Sequence, residues 1–393
     1  MRKIYSQLNI FIPIIKYKYP FALIVLLLIQ VNVFAARDEF KKMIKETFTV
    51  EADTRIGAIN KHGDIHIHTW DKDEVSFEIT ITVEAQTEAD AQREFDRIDV
   101  EFSNVGNTVS AETIWGERET KRRWSFFDWS TWGSGNGWES GNKIRVDYVI
   151  NMPAASSVDF TNKYGHINFP KLDNDVKIAV KYGNMDGEHV GGNFDLNVGY
   201  GDACLKTVAG KSEVHIKYGK FCADELAKLD IESKYSKVYI DKTQDITIQS
   251  KYDHYELGTV QNLHSDGKYD DFEIEWVKNI KIYSKYSDYR IEELAGTGYL
   301  DMEYGNSKIS RLAPDFGDLR LDGSYVDFKI KVSSGMSFDV NVETSYGDLD
   351  FMDDDHIVIQ KDNSDREAEG YVGSPNSGNR LRARLRYGNL RIW

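Results

Sequence analysis

Residues 231–294 read IESKYSKVYIDKTQDITIQSKYDHYELGTVQNLHSDGKYDDFEIEWVKNIKIYSKYSDYRIEEL. Tyr235, Tyr252, Tyr269 and Tyr286 recur here every 17 residues, each preceded by lysine and followed by Ser or Asp. Outward from this stretch the column continues through Tyr164, Tyr182, Tyr200 and Tyr218 on one side and Tyr304, Tyr325, Tyr346 and Tyr387 on the other. The first nine members are 17 or 18 residues apart; two steps of 21 and one of 41 follow. Twelve of the 22 tyrosines therefore occupy one repeating position.

The positions around each Tyr have a readable interior. Three and five residues after it stand apolar pairs such as Ile167 and Phe169, Val238 and Ile240, Phe272 and Ile274. That alternation is a strand with one buried face. Further apolar groups recur eight residues after Tyr (Leu226, Val260, Leu294) and four before it (Ile231, Ile248, Ile282). Each repeat reads as two short strands joined by bends. A unit of this size cannot bury its own apolar face, but stacked units bury a continuous core. It has no room for a helix, and a propeller blade needs roughly 40 residues. The fold class is all-β. It is a β-solenoid, single-stranded and β-helix-like, of about twelve rungs of 17–21 residues. At about 4.8 Å per rung it is a rod of roughly 55–60 Å.

The corner explains the Tyr-Gly pairs. Gly165, Gly183, Gly201, Gly219, Gly305, Gly347 and Gly388 are expected to take the positive φ of a sharp bend, with Ser236, Asp253, Asp270 and Ser287 in their place elsewhere. The repeat-corner tyrosines (Tyr164, Tyr182, Tyr200, Tyr218, Tyr235, Tyr252, Tyr269, Tyr286 and Tyr304 in the regular part) should stack as an aromatic ladder, structural in the first reading and sugar-stacking in the second. Lysine precedes Tyr at 163, 181, 217, 234, 251, 268 and 285, and arginine at 386. Like charges one rung apart repel. Asp202, Asp271, Asp288, Asp327 and Asp348, two residues after Tyr, are expected to offset them in a Lys/Asp belt that is solvated or holds a polyanion or glycan.

Residues 36–157 lack the Tyr column and read as an N-terminal antiparallel β cap region. Lys61-His62-Gly63-Asp64-Ile65 nevertheless matches Lys163-Tyr164-Gly165-His166-Ile167 in pattern. Strands are expected over 75–83, 99–113 and 143–152, with one short helix over 87–97. Capping is needed because a bare end exposes core and strand edges. Between these strands, residues 115–142 hold Trp115, Trp124, Phe126, Phe127, Trp129, Trp132 and Trp138 among Gly and Ser, the leading candidate for a contact surface. The solenoid domain spans 158–393, with an insertion at 352–380 that includes Asp353, Asp354 and Asp355.

Residues 1–35 carry Arg2, Lys3, Lys16 and Lys18, no acidic residue, and the apolar run 21–35, a secretory signal pattern with cleavage before Ala36. A retained anchor is the other reading, although the run is shorter than the roughly 20 residues a span needs. No transmembrane span is expected in the mature chain, and the protein is placed in the periplasm, at the cell surface or outside the cell. The chain of 393 residues bears 49 Lys+Arg against 64 Asp+Glu, a net charge of −15. That balance makes it a poor nucleic-acid binder.

Chemistry is sparse. No nucleophile-elbow, zincin, P-loop or dinucleotide motif occurs, and no catalytic residue or cofactor is assigned. His66 and His68 would face the same way on a strand, with His62 nearby, but no further ligand joins them, so no metal is assigned. Cys204 and Cys222 both follow a Tyr by four residues. They should stack on adjacent rungs at an outward position, where the spacing permits a disulfide.

These features together resemble the bacterial adhesin-like family of β-strand-repeat envelope proteins. The resemblance lies in the signal segment, the lead-in Ile56-Gly57-Ala58-Ile59-Asn60-Lys61-His62-Gly63-Asp64-Ile65 with Trp70-Asp71, the short repeats with a Gly corner, Gly370-Tyr371-Val372-Gly373 and the final Tyr387-Gly388-Asn389-Leu390. It implies surface adhesion and supplies no catalytic residues; the aromatic segment 115–142 is not matched to it. The function expected is a secreted or envelope, non-enzymatic adhesin or scaffold that binds a glycan or an envelope or host protein. The alternatives are a polysaccharide-active β-helix enzyme that uses carboxylates such as Asp271 and Asp288 with a cation, and an envelope-stress or assembly component.

Overall fold

A computed structural model describes residues 37–116, 143–352 and 356–393. The expected signal segment and Asp353, Asp354 and Asp355 lie outside the described residues. Internal contacts divide the chain into two units. Of the described residues, the first comprises 37–42, 81–98, 115–116 and 143–144, and the second 43–80, 99–114, 145–352 and 356–393.

In the first unit the helix Glu88–Phe95 forms where the sequence places one. Thr87 caps it by accepting the N–H of Asp90, and Glu88 and Asp90 add negative charge to its first turn. Ala91 and Phe95 are its buried apolar residues.

The second unit is the β-solenoid. Successive coils pair parallel and in register: Val176–Lys181 lies on Phe194–Gly199, and Lys220–Lys234 lies on Lys237–Lys251. The alternating apolar residues point inward, so Ile167, Met185, Ala203, Phe221, Val238, Tyr255 and Phe272 form one buried column. Burial of each large member contributes about 1.5–3 kcal/mol. Within that column Tyr255, Phe272 and Tyr289 stack at 4.6 and 4.5 Å.

The corner differs from the sequence expectation. The left-handed residue is the tyrosine, with φ between 52° and 63° at all twelve positions. The glycine after it is needed for closeness instead: a Cβ on Gly183 would lie 1.9 Å from the carbonyl oxygen of Gly165, and one on Gly201 1.8 Å from that of Gly183. The glycines thus lie inside the corner against the coil before. Tyrosine takes the turn and throws its ring outward.

The ends also differ from a simple chain-order stack. Arg380–Arg386 lies parallel between Asp318–Ile330 and Phe338–Ser345, so the final coil is inserted beneath the one that precedes it. Asp365–Val372 then pairs antiparallel with Phe338–Ser345, and Ile357–Asp362 pairs antiparallel with Asp365–Val372. Most of the segment 352–380 is therefore this hairpin, which covers an edge that would otherwise be open. At the other end Arg55–Lys61 and Ile65–Trp70 pair parallel with Ser157–Lys163 and Ile167–Phe169 and already form a coil. Antiparallel pairing appears outside that coil, where the N–H of Val50 donates to Asp73 and Lys45 meets Glu78.

Candidate functional site

Because every corner tyrosine is left-handed, all the rings leave the coil in the same direction. They stack from Tyr164 to Tyr325 in chain order, then Tyr387, then Tyr346, with centroids 4.7–5.1 Å apart. His62 has the same left-handed φ and stacks on Tyr164 at 4.9 Å with 6° between the planes. It is a thirteenth ring, at the position where the sequence matched Lys61-His62-Gly63 to Lys163-Tyr164-Gly165. Burial, and then the charges of Lys61 and Lys163, hold its pKa down to about 4.

The ridge is open to solvent, with the tyrosines between 37% and 61% exposed. Stacking decides what it offers. Interior faces are covered by neighbouring rings, leaving edges and phenol hydroxyls toward the solvent. A sugar stacked on a ring face has no place along the interior of the ladder; hydrogen bonds to the hydroxyls do.

The lysines before the corner rings are register partners: Lys163 with Lys61 and with Lys181, and Lys217, Lys234, Lys251, Lys268 and Lys285 each with the next. Their repulsion is relieved in part by the ring of the same corner. The ammonium of Lys163 lies 4.9 Å from the Tyr164 centroid, that of Lys251 5.0 Å from Tyr252 and that of Lys234 5.5 Å from Tyr235. The expected Lys/Asp belt does not do this. Several groups two residues after Tyr instead accept backbone N–H groups from the next coil: Asp202 from Lys220 at 3.1 Å, Asp288 from Asn306 at 2.9 Å and Asp327 from Asn389 at 3.0 Å.

Four corners replace glycine by a buried polar residue, and these four are linked. Asp253 accepts from the N–H of Ser236 at 2.6 Å, Asp270 from the N–H of Asp253 at 2.9 Å, and the hydroxyl of Ser287 from the N–H of Asp270 at 3.1 Å. Burial raises the pKa of Asp253 and pushes that of Asp270 up to about 7, against the hydrogen bonds that each carboxylate receives.

A shallow groove of about 650 Å³ crosses the strands before these corners. Its rim is an amide ladder: Asn262 donates to Asp245 at 2.8 Å, Asn279 to Asn262 at 2.9 Å and Thr297 to Asn279 at 3.0 Å. His264, Lys281, Tyr299 and Arg320 line it as well. The sequence reading missed this groove, although Asp245, Asn262 and Asn279 all stand seven residues before a corner Tyr and so share one column of the repeat.

Of the residues singled out in the sequence, Trp115 ends the strand Thr108–Trp115 and is half-buried. Trp124, Phe126, Phe127, Trp129, Trp132 and Trp138 lie outside the described residues. Cys204 and Cys222 are register partners with Cα atoms 4.6 Å apart, half-buried beside His66 and His68 in a second shallow groove. His66 is 3.3 Å from Asn168. No group of three or more metal-ligating residues occurs among the described residues, and no helix among them is long and apolar enough to cross a membrane.

No family model and no curated protein matches the chain. Solved structures do. A proposed lipid-binding protein from Parabacteroides distasonis aligns over 90% of this chain and 97% of its own, at 8% identity and TM-score 0.26. A proposed cell adhesion protein from Clostridium sporogenes aligns over 89% and 99%, at 9% identity and TM-score 0.18. A proposed adhesin from Bacteroides fragilis aligns over 90% and 97%, at 10% identity and TM-score 0.18.

Proposed function

We propose that the chain is an exported, non-enzymatic β-solenoid that works as an adhesion or scaffold module and holds a glycan or an envelope or host protein along its tyrosine ridge. The supporting observation is the ridge. Twelve tyrosines are kept left-handed, at a conformational cost of about 1–2 kcal/mol each, with their hydroxyl edges in one exposed line. Such a line engages an extended partner through many weak and equivalent contacts, and tethered contacts of that kind add up to firm attachment. Catalysis would call for one constellation unlike the rest, whereas the ridge repeats the same groups coil after coil. The aromatic segment 115–142, with Trp115, Trp124, Phe126, Phe127, Trp129, Trp132 and Trp138, is a second contact surface in this proposal.

The test is binding of the full chain to glycan arrays and matrix proteins, compared with a Tyr235→Phe/Tyr252→Phe/Tyr269→Phe variant. Phenylalanine keeps the stack and removes only the hydroxyls. At about 1 kcal/mol per hydrogen bond, three losses weaken binding roughly 100-fold. Unchanged binding overturns the ridge reading. Unchanged binding after deletion of residues 116–141 removes the aromatic segment from it.

A further inference from the structure

We infer that the ridge carries one bounded binding site for an acidic polysaccharide, over the four coils of Tyr218, Tyr235, Tyr252 and Tyr269. The inference rests on the ridge being a binding surface and adds where it binds and what it holds. Six lysines mark the place. Lys217, Lys234, Lys251 and Lys268 are consecutive register partners on the strand that enters the corner. Lys220 and Lys237 are register partners on the strand that leaves it. The exposed tyrosine edges run between the two flanks, and four coils cover about 15–20 Å at the strand spacing.

The patch has chemical ends. On one side the lysine column is interrupted by Gly199, the register partner of both Lys181 and Lys217. On the other side Lys285 is paired with Glu303 at 2.8 Å. Between those limits none of Lys217, Lys234, Lys251 and Lys268 takes part in any ion pair among the described residues; Lys234 and Lys251 meet only their own tyrosine rings. On the other flank Lys220 lies 3.9 Å from Asp202. The nearby carboxylates are engaged elsewhere in most cases: Glu232 lies 3.4 Å from His215, Glu256 3.0 Å from His254, and Asp271 2.6 Å from Arg290, while Asp266 is the register partner of Gln249 two residues before the lysines. Six ammonium groups held this close in a chain of net charge −15 raise the local concentration of a polyanion and little else.

The ring geometry selects among polyanions. Single-stranded nucleic acid is held by stacking bases on open aromatic faces. Here those faces are covered at 4.8–5.1 Å, and only edges and hydroxyls remain. A sugar chain with charged groups fits both features, with its hydroxyls on the phenols and its anionic groups on the flanking lysines.

The experiment measures binding of the full chain to polygalacturonate, dextran sulfate, uncharged dextran, single-stranded DNA and phosphatidylglycerol vesicles at low and at about 0.3 M salt. Wild type is compared with Lys234→Gln/Lys251→Gln and, as control, Lys163→Gln/Lys181→Gln. The expected result is binding of polygalacturonate or dextran sulfate that weakens with salt, falls at least tenfold in the first variant and stays within twofold in the second. Uncharged dextran does not compete. Polygalacturonate binding without dextran sulfate binding identifies carboxylates as the ligand groups, and the reverse identifies sulfates. Equal loss in both variants overturns the bounded site, and DNA or vesicle binding as tight as that of the polysaccharides overturns the ligand class. If neither acidic polysaccharide binds while the Tyr→Phe variant still loses a neutral glycan or a protein, the inference fails and the ridge reading stands. If nothing binds to folded protein, both fail.

Discussion

Asp270→Ser isolates the cost of placing a carboxylate inside a corner. Serine already occupies this column at Ser236 and Ser287, and the hydroxyl of Ser287 accepts the N–H of Asp270 just as a serine at 270 can accept that of Asp253. The substitution therefore keeps the backbone acceptor and removes the charge. Burial raises the carboxyl pKa from an ordinary 3.8 to about 7. At roughly 1.4 kcal/mol per pH unit, the ionised form costs the folded state on the order of 4 kcal/mol. The sign follows from the raised value. Below about pH 4 the group is protonated in both folded and unfolded chains and costs nothing. Between about pH 4 and 7 the unfolded chain ionises first, so stability falls, and above about pH 7 the full cost remains. Urea unfolding of wild type and variant between about pH 4 and 8.5 should give curves that diverge across that window, with the variant favoured as pH rises. Solenoids do not always unfold in one step, so the transition that includes this region is the one to compare. Parallel dependences on pH would refute the reasoning, because they would show that the carboxylate reaches solvent in the folded protein.

Gly201→Ala should destabilise the solenoid by about 3 kcal/mol or more, since the new Cβ would lie 1.8 Å from a backbone oxygen that cannot move without parting two coils. Thermal unfolding checks it, and a change within error would mean the coils are spaced more loosely. His62→Tyr should stack on Tyr164 as the other corners do and remove the penalty of protonating a half-buried imidazole. The variant should gain on wild type as pH falls from about 6.5 toward 4, and a gain independent of pH would refute the charge argument. Cys204 and Cys222 should be bonded in protein made in an oxidising compartment, and a closed loop of this size contributes about 3 kcal/mol. Mass spectrometry with and without reductant decides this, and two free thiols in the native protein would refute it.

The sequence by itself determined the coil. A column of tyrosines at 17–18 residues with apolar alternation around it has one economical solution, because a unit so short can bury its apolar face only against its neighbours. Ile167, Met185 and Val238 turn inward for that reason, and the helix at 88–95 was legible from Thr87 and the acidic turn after it. Other features were settled only by the neighbouring coils in space. The left-handed residue of the corner could not be read, because the permissive glycine is the obvious candidate until a Cβ there is seen to strike the carbonyl of the adjacent coil. Nor could the order Tyr325, Tyr387, Tyr346, since the repeat records spacing along the chain and says nothing of which strand is inserted between two others. The lysine column was visible, as were its interruptions at Gly199 and Glu303 before Tyr200 and Tyr304, yet the ion pair of Lys285 with Glu303 and the absence of one at Lys234 and Lys251 among the described residues appear only once the coils are stacked. One-dimensional periodicity specifies which groups share a column. The hydrogen bonds and steric contacts between coils decide which of them face solvent and which are neutralised.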